Sequence, residues 1–518
     1  MKKARNLLAL LLICMMLITG CAGDSNTGSS NGNADDIQQS ANSDTSSRTD
    51  LKLSVASEIT SLDPYATTAA ADFQITKQIY EGMFFLNSEM ELEPRVAESY
   101  SLSEDGMTYT FNLREGAKFH NGDEVKASDV VFSIERAITM PAMANRVASI
   151  ESVTAVDDYT VEVKTVDVMA AALNQIAEIE IMSEKIVTEQ GEDFGQTNVD
   201  AGTGPYMLDT YDRSTKITLK AFDDYYRGAP AIKDATFSVM TDSSATLIAF
   251  ESGDLDLITV PLSSWTMVSE NPDYQTALTE TTHISYISIN IDKEPLDNQN
   301  LRKAIAYAIN KDAIIIAAYE GLATKAEGLL NPAVTALAPS GGVSYDYDPE
   351  LAKQYLADAG YPDGVDLGEM LVYGSSYWPR FAEIIQQNLA EVGITVELIT
   401  MDTSAVIQDM KTGNYILGTS GMTCDPDVSF LSRFCHSRMS ENSAVKFMDP
   451  WIDETLDAAD RELDPDARAA LVQEAHDYVM DTAALIPIFF KTTPYAYAAG
   501  LTGTFDLNYY YLYNFSWN

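Results

Sequence analysis

The chain has 518 residues, is 46% hydrophobic, and carries 77 acidic against 33 basic residues, a formal charge of −44 at pH 7. Such a charge argues against binding nucleic acid or anionic lipid, which needs basic patches, and suits a soluble acidic body. Roughly 470 residues follow the N-terminal segments, more than one hydrophobic core usually supports, so at least two lobes are expected.

The N-terminus predicts export. Lys2, Lys3 and Arg5 precede an apolar run from Leu7 to Ile18, a layout that an export machinery reads and that is too short for an ordinary spanning helix. The run ends in Ile18-Thr19-Gly20-Cys21, which resembles the lipobox of bacterial lipoproteins. That resemblance implies removal of residues 1–20 and a palmitate-type lipid on Cys21, holding the chain to the outer face of a cell membrane. From Ala22 to Thr49 the composition is polar, with Ile37 the only large apolar residue, and burial cannot offset the entropy of ordering it. As a flexible coil, this tether over 21–50 spans roughly 30 Å.

In the body, Leu51-Lys52-Leu53-Ser54-Val55-Ala56 alternates as a strand does, and Asp63-Pro64 turns the chain. A helix is predicted from Asp72 through Glu81, ended by Gly82. The turn Ser103-Glu104-Asp105-Gly106 leads into a period-2 strand, Thr108 to Leu113. Ser128-Asp129 caps a helix with Val130, Val131, Ile134 and Ala137 on one face, and Val153 to Val163 reads as a strand pair around Asp157-Asp158. Helices then lengthen. Asp297 or Asn298 caps a segment with Leu301, Ala304, Ile305, Ala308 and Ile309 at helical spacing. Phe381 to Val392 forms another, after a loop at Gly374-Ser375-Ser376, and Asp464-Pro465-Asp466 opens a third. Ile486 to Phe490 returns to a strand. Strands alternating with helices over this length predict α/β lobes. No 20–50 residue repeat and no long biased linker interrupts 51–518, so more than one crossing should join the lobes.

The chemical motifs of an enzyme are missing. There is no Gly-x-Ser-x-Gly, no His-Glu-x-x-His and no Walker loop, so no catalytic residue is assigned. Gly202-Thr203-Gly204 has Met207 where a third glycine belongs and reads as a turn before the strand at Tyr206. His120, His283, His436 and His476 lie far apart, and Asp346-Tyr347-Asp348 lacks the rest of a calcium loop. Neither a metal nor a cofactor is expected. Cys424 and Cys435 can close a short disulfide or remain two buried thiols. Trp265, Trp378, Trp451 and Tyr377 offer large surfaces with polar handles. Tyr377-Trp378, in a loop before a helix, can face a cleft or the core; Tyr509, Tyr510, Tyr511 and Tyr513 read as core packing.

The stretch Gly106-Met107-Thr108-Tyr109-Thr110-Phe111-Asn112-Leu113-Arg114-Glu115-Gly116-Ala117-Lys118-Phe119-His120-Asn121-Gly122 resembles the hallmark of family 5 extracellular solute-binding proteins, which include oligopeptide-, dipeptide- and nickel-binding components of ABC importers. Other pieces agree in order: Ser128-Asp129-Val130-Val131-Phe132-Ser133, Gly202 to Tyr206, Arg302 to Ile309, Ala359-Gly360-Tyr361-Pro362-Asp363-Gly364, and Ile486-Pro487. The resemblance implies a bilobal α/β periplasmic-binding-protein-like fold of type II, in its large three-subdomain variant with a hinge. Lobe I would span 51–288 with an extra subdomain at about 86–185, lobe II 289–485, and 486–518 would return to lobe I. It also implies a monomer that closes over a small-molecule or peptide solute and delivers it to a permease.

Peptide binders of the family set an aspartate just upstream of an Asp-Pro pair, as counter-charge to the solute's amino terminus. Asp425-Pro426-Asp427 matches the pair, but Met422 stands where the acid belongs. Asp425 or Asp427 takes the role under a shifted alignment; alternatively Asp425 only forms a turn before Pro426. The candidate solute contacts are Tyr65, Trp265, Tyr377, Trp378, Met422, Thr423 and Asp425. A short peptide is the leading solute; an oligosaccharide stacked on Trp265 and Trp378, or a nickel or metal chelate, is the alternative, and a secreted enzyme is remote.

Overall fold

The sheet that runs through the body has 11 strands. The fold is a computed structural model describing residues 48–87, 91–197, 200–423, 429–439, 447–507 and 509–518. Across the sheet the strands lie in the order Ile394–Met401, Val365–Tyr373, Leu417–Thr423, Tyr274–Ile289, Leu485–Ala498, Leu257–Thr259, Asp50–Val55, Asp234–Val239, Lys216–Ala221 and Tyr206–Asp212, with Ala323–Lys325 added against Leu485–Ala498. The predicted first strand is present, and its alternation is the reason: Leu51, Leu53 and Val55 are buried while Lys52 and Ser54 are half-exposed.

Two large cores flank the middle of this sheet. One draws on residues from Leu51 to Leu257 and again on Tyr495, Leu501, Tyr510, Leu512 and Phe515. The other runs from Ile284 to Phe490. The protein is thus mixed α/β and bilobal. Over the first core lies a separate four-stranded antiparallel sheet, Ala97–Leu102, Thr108–Leu113, Thr160–Thr165 and Ile150–Ala155 in that order. The helix Ala127–Thr139 buries Val130, Ile134 and Ala137. Its cap differs from the expected Ser128-Asp129: the helix begins at Ala127, and Asp129 in its first turn accepts from the backbone N–H of Lys126 (3.0 Å). In the second lobe Asn298, not Asp297, caps Gln299–Ala308, accepting from the N–H groups of Asn300 and Leu301. Asp464 caps Pro465–Asp481 as its Asp-Pro pattern predicts.

The two longest strands, Tyr274–Ile289 and Leu485–Ala498, pair with each other and connect the cores. Their register shifts between Glu280 and Ile284, and there the neighbours change. Before the shift, the pair borders Leu257–Thr259; after it, Leu417–Thr423 and Ala323–Lys325 flank it. The change on the first strand falls a few residues before residue 288, the expected end of lobe I. A second contact ties the four-stranded subdomain to the second lobe: the Ala170 N–H donates to the Asp460 carbonyl (2.7 Å), and Arg461 Nε meets Asp167 Oδ2 at 2.9 Å.

Candidate solute site at the strand crossing

Three neighbouring strands set the floor of the site. His283 lies opposite Thr423 and Ser285 opposite Gly421, while on the other side Ser285 is opposite Phe489. Alternate residues of a strand share a face, so Thr423 with Gly421, His283 with Ser285, and Lys491 with Phe489 form adjacent columns. Tyr377 and Trp378 cover them. The Tyr377 hydroxyl lies 2.8 Å from Ser285 Oγ, and its ring centroid is 5.5 Å from that of Phe489. Lys491 Nζ is 5.9 Å from the Tyr377 ring centre. Trp378 lies so close to Gly421 that a Cβ added there would come within 2.9 Å of indole Cζ2 and 2.8 Å of His283 Nε2.

The pair occupies the start of a helix and not the predicted loop. Trp378–Glu391 is helical, three residues earlier than expected, with Tyr377 as N-cap residue and Pro379 in the first turn. Ser376, at φ 58, turns the chain into it. Proline suits the first turn because its missing N–H has no helical acceptor there. Both rings are mostly core: Tyr377 is 8% and Trp378 7% exposed, packed with Tyr319, Tyr373, Phe381 and Phe489.

The electrostatics of this face are unusual for so acidic a chain. Lys491 is half-buried, forms no ion pair with any described residue, and has its pKa lowered by burial. His283 is pushed down to about 3, first by burial and then by the charge of Lys491. The ring is therefore neutral at pH 7, with Nδ1 3.3 Å from Thr423 Oγ1 and Nε2 buried without a partner.

Among the other sequence candidates, Thr423 joins this face, whereas Met422, one residue away, points to the opposite side with its sulfur 3.8 Å from Arg433 Nη1. Ser420 and Tyr286 share that side, joined by a 2.9 Å hydrogen bond. Trp265 opens the short helix Trp265–Ser269 and packs against both the second core and a small cluster around Leu247, Phe250 and Ile258. Tyr65 is not in this group: it is fully buried in the first core, donating its hydroxyl to the Glu180 carbonyl beneath Arg136. Cys435 is a buried free thiol whose pKa burial raises. Cys21, Cys424 and Asp425 lie outside the described residues. The sequence reading did not single out Lys491, which shares this face, and treated His283 as ordinary. The available signal was a lone charge at the end of the apolar run Ile486 to Phe490.

A cavity of about 60 Å³ in the first core, bordered by Lys77, Tyr80, Glu81, Arg95 and Tyr511, has its own charges matched. Glu81 accepts from Tyr225 (2.6 Å) and Tyr226 (2.7 Å) and faces Arg95 at 3.4 Å. Its size suits a few water molecules and not a solute. Among the described residues no group of three or more His, Cys, Asp or Glu could hold a metal ion.

A family model described as bacterial extracellular solute-binding proteins, family 5 Middle, matches residues 91–442. The chain belongs to this family. The glutathione-binding protein GsiB of Salmonella paratyphi A (strain ATCC 9150 / SARB42) is 28% identical over 471 residues, 88% of this chain and 91% of that protein. HbpA2 from Haemophilus parasuis shares the fold at a TM-score of 0.82 with 27% identity, over 90% of this chain and 100% of its own. The ABC transporter substrate-binding protein CtaP from Listeria monocytogenes matches at a TM-score of 0.83 and 22% identity, over 91% and 99%, which adds likeness of fold alone. This family 5 protein is accordingly a non-catalytic solute-binding component of an ABC importer, partnered by a permease and working outside the cytoplasm.

Proposed function

We propose that this solute-binding protein is a lipid-anchored monomer that carries a short peptide, or a related small solute, against the strand crossing. Tyr377, Trp378, Thr423 and Lys491 would line the bound solute, with Trp265 at the border and Asp425 as partner for a solute amine. The observation that carries the site is the row of exposed Thr423 and half-buried His283 and Lys491 beside the largely buried rings of Tyr377 and Trp378. The peptide class rests on likeness to GsiB, named for glutathione, itself a tripeptide.

The lobe limits we propose are 51–288, 289–485 and 486–518, with a subdomain at about 86–185, although Ile486 to Phe490 pack in the second core and favour a second limit a few residues later. The register shift at Glu280 favours a first limit a few residues earlier. The Ile18 to Cys21 lipobox supports the anchor. Mass spectrometry of solute released by denaturing the purified protein tests the class: a sugar or a metal chelate in place of a peptide overturns it. A thermal-shift screen supports that test, since a solute at about 100 times its Kd adds roughly 2.7 kcal/mol. Replacing Cys21 by Ala is expected to release the protein from the membrane fraction; full retention would refute the anchor.

A further inference from the structure

Resting on the proposed peptide reading, we infer that the solute presents a carboxylate to Lys491, so that the site selects for an anionic end. Lys491 stands where the two connecting strands change neighbours, opposite Ala323 and one residue past Phe490. A half-buried ammonium ordinarily has an anionic partner, because desolvation is otherwise uncompensated. Here none is present among the described residues. Glu280, close by on the paired strand, is already held by Thr324 Oγ1 (2.6 Å) and Asn331 Nδ2 (3.4 Å). His283 is neutral and adds no negative charge. The Tyr377 ring face, 5.9 Å away at the outer limit of a cation–π contact, carries no net negative charge to match the ammonium.

With no acceptor among the described residues, a bound solute would supply one, and the site's setting specifies its chemistry. A body of net charge −44 repels anions at long range, so a single unmatched cation between aromatic edges favours one localised negative group over a broadly charged polyanion. Tyr377 and Phe489 border the same face, providing apolar contact for the part of the solute next to that group. A peptide's C-terminal carboxylate beside an apolar side chain meets both conditions.

The test uses the mature full-length protein and its Lys491→Met variant, titrated with the tripeptide Ala-Leu-Ala, its C-terminal amide, and sodium acetate. Wild type is expected to prefer the acid over the amide by roughly 30-fold or more, as for a desolvated charge pair. Lys491→Met should abolish that preference, bringing the affinity for the acid down to that for the amide. Its solute-free melting temperature should equal or exceed that of wild type, because no internal partner is lost. Equal affinity for acid and amide in wild type overturns the inference, as does a preference that survives the substitution or a melting point lowered by many degrees. If neither tripeptide binds, the peptide reading fails by itself and acetate decides: thermal protection by acetate that disappears in Lys491→Met upholds the carboxylate site, and its absence in wild type overturns it.

Discussion

Replacing Trp378 by Ala separates a wall of the solute site from a piece of the lobe core. Its indole is 7% exposed and its centroid lies 4.6 Å from Tyr377, 5.1 Å from Tyr373 and 5.1 Å from Phe381. Almost all of its contact surface is turned toward the protein. Truncating such a side chain costs about 3–5 kcal/mol through lost transfer energy and the void left behind. In a lobe of roughly 200 residues each kcal/mol moves the melting temperature by about 2–4 °C, so a fall of about 6–20 °C is expected. Differential scanning calorimetry reads the fall, and isothermal titration with Ala-Leu-Ala reads affinity below the new transition. A ring that meets solute only at its edge should cost less than about tenfold in Kd, or about 1.4 kcal/mol. A melting point within about 2 °C of wild type together with binding weakened a hundredfold would mean that the ring is a stacking platform, refuting the assignment to the core.

Other substitutions probe independent parts of the structure. Gly421→Ala drives a Cβ to 2.8 Å from His283 Nε2 and 2.9 Å from Trp378 Cζ2, an overpacking expected to cost about 1–3 kcal/mol in urea unfolding; an unchanged midpoint would show that the indole does not rest on this strand. Burial holds His120 down to about 4, against about 6.5 unfolded. The unfolded chain therefore binds more protons between those values, so stability falls as pH drops through about 6.5, by roughly 3 kcal/mol once below 4. His120→Gln, which keeps a donor toward the Gly204 carbonyl, should reduce the slope of the stability profile over that window, His283 still contributing to it, and an undiminished slope would assign the acid sensitivity elsewhere. Arg461→Ala breaks a pair with about half of each side chain exposed, worth at most about 1 kcal/mol. It should speed solute release up to about fivefold in stopped flow without moving the melting temperature; a large thermal shift would contradict its role as a surface tie.

The parts of the fold legible in sequence were those whose pattern is local. Alternation exposed Leu51, Leu53 and Val55 as a strand, and Asp464-Pro465 marked a helix start because cap and first turn are adjacent. Boundaries slipped where two polar residues could serve: Asn298 took the cap beside Asp297, and Asp129 moved into the first turn of its helix. The helix at Trp378 started early because a tryptophan followed by proline resembles loop chemistry until Ser376 is seen to turn the chain. The solute site was far less legible. His283, Trp378, Gly421 and Lys491 meet only through the order of strands in the sheet, which no local pattern specifies. Met422 and Thr423 were grouped because they are neighbours in sequence, yet a strand sends neighbours to opposite faces. Tyr65 shows the limit for aromatics: a buried ring with a bonded hydroxyl and a ring lining a cleft have the same composition.

A solute site at the crossing, as proposed, would bear on how solute binding becomes lobe closure. A solute held only by Tyr377, Trp378 and Ser285 would touch one lobe, bind the open and closed forms equally, and shift no equilibrium. Lys491 belongs to the strand that passes from the second core to the first, between Phe490 in one and Tyr495 in the other. The register shift opposite it, from Glu280 to Ile284, interrupts the ladder where a bend costs the fewest hydrogen bonds. The charge pair proposed at that interruption would act on a segment joining the two cores. Trp265 packs on both the second core and the cluster around Phe250, so a movement of one against the other would change its contacts. Far from the crossing, the Asp167–Arg461 pair and the Ala170–Asp460 hydrogen bond join the subdomain to the second lobe. A form with the lobes apart would lose both contacts, and solute affinity would then contain a term from groups that never touch the solute.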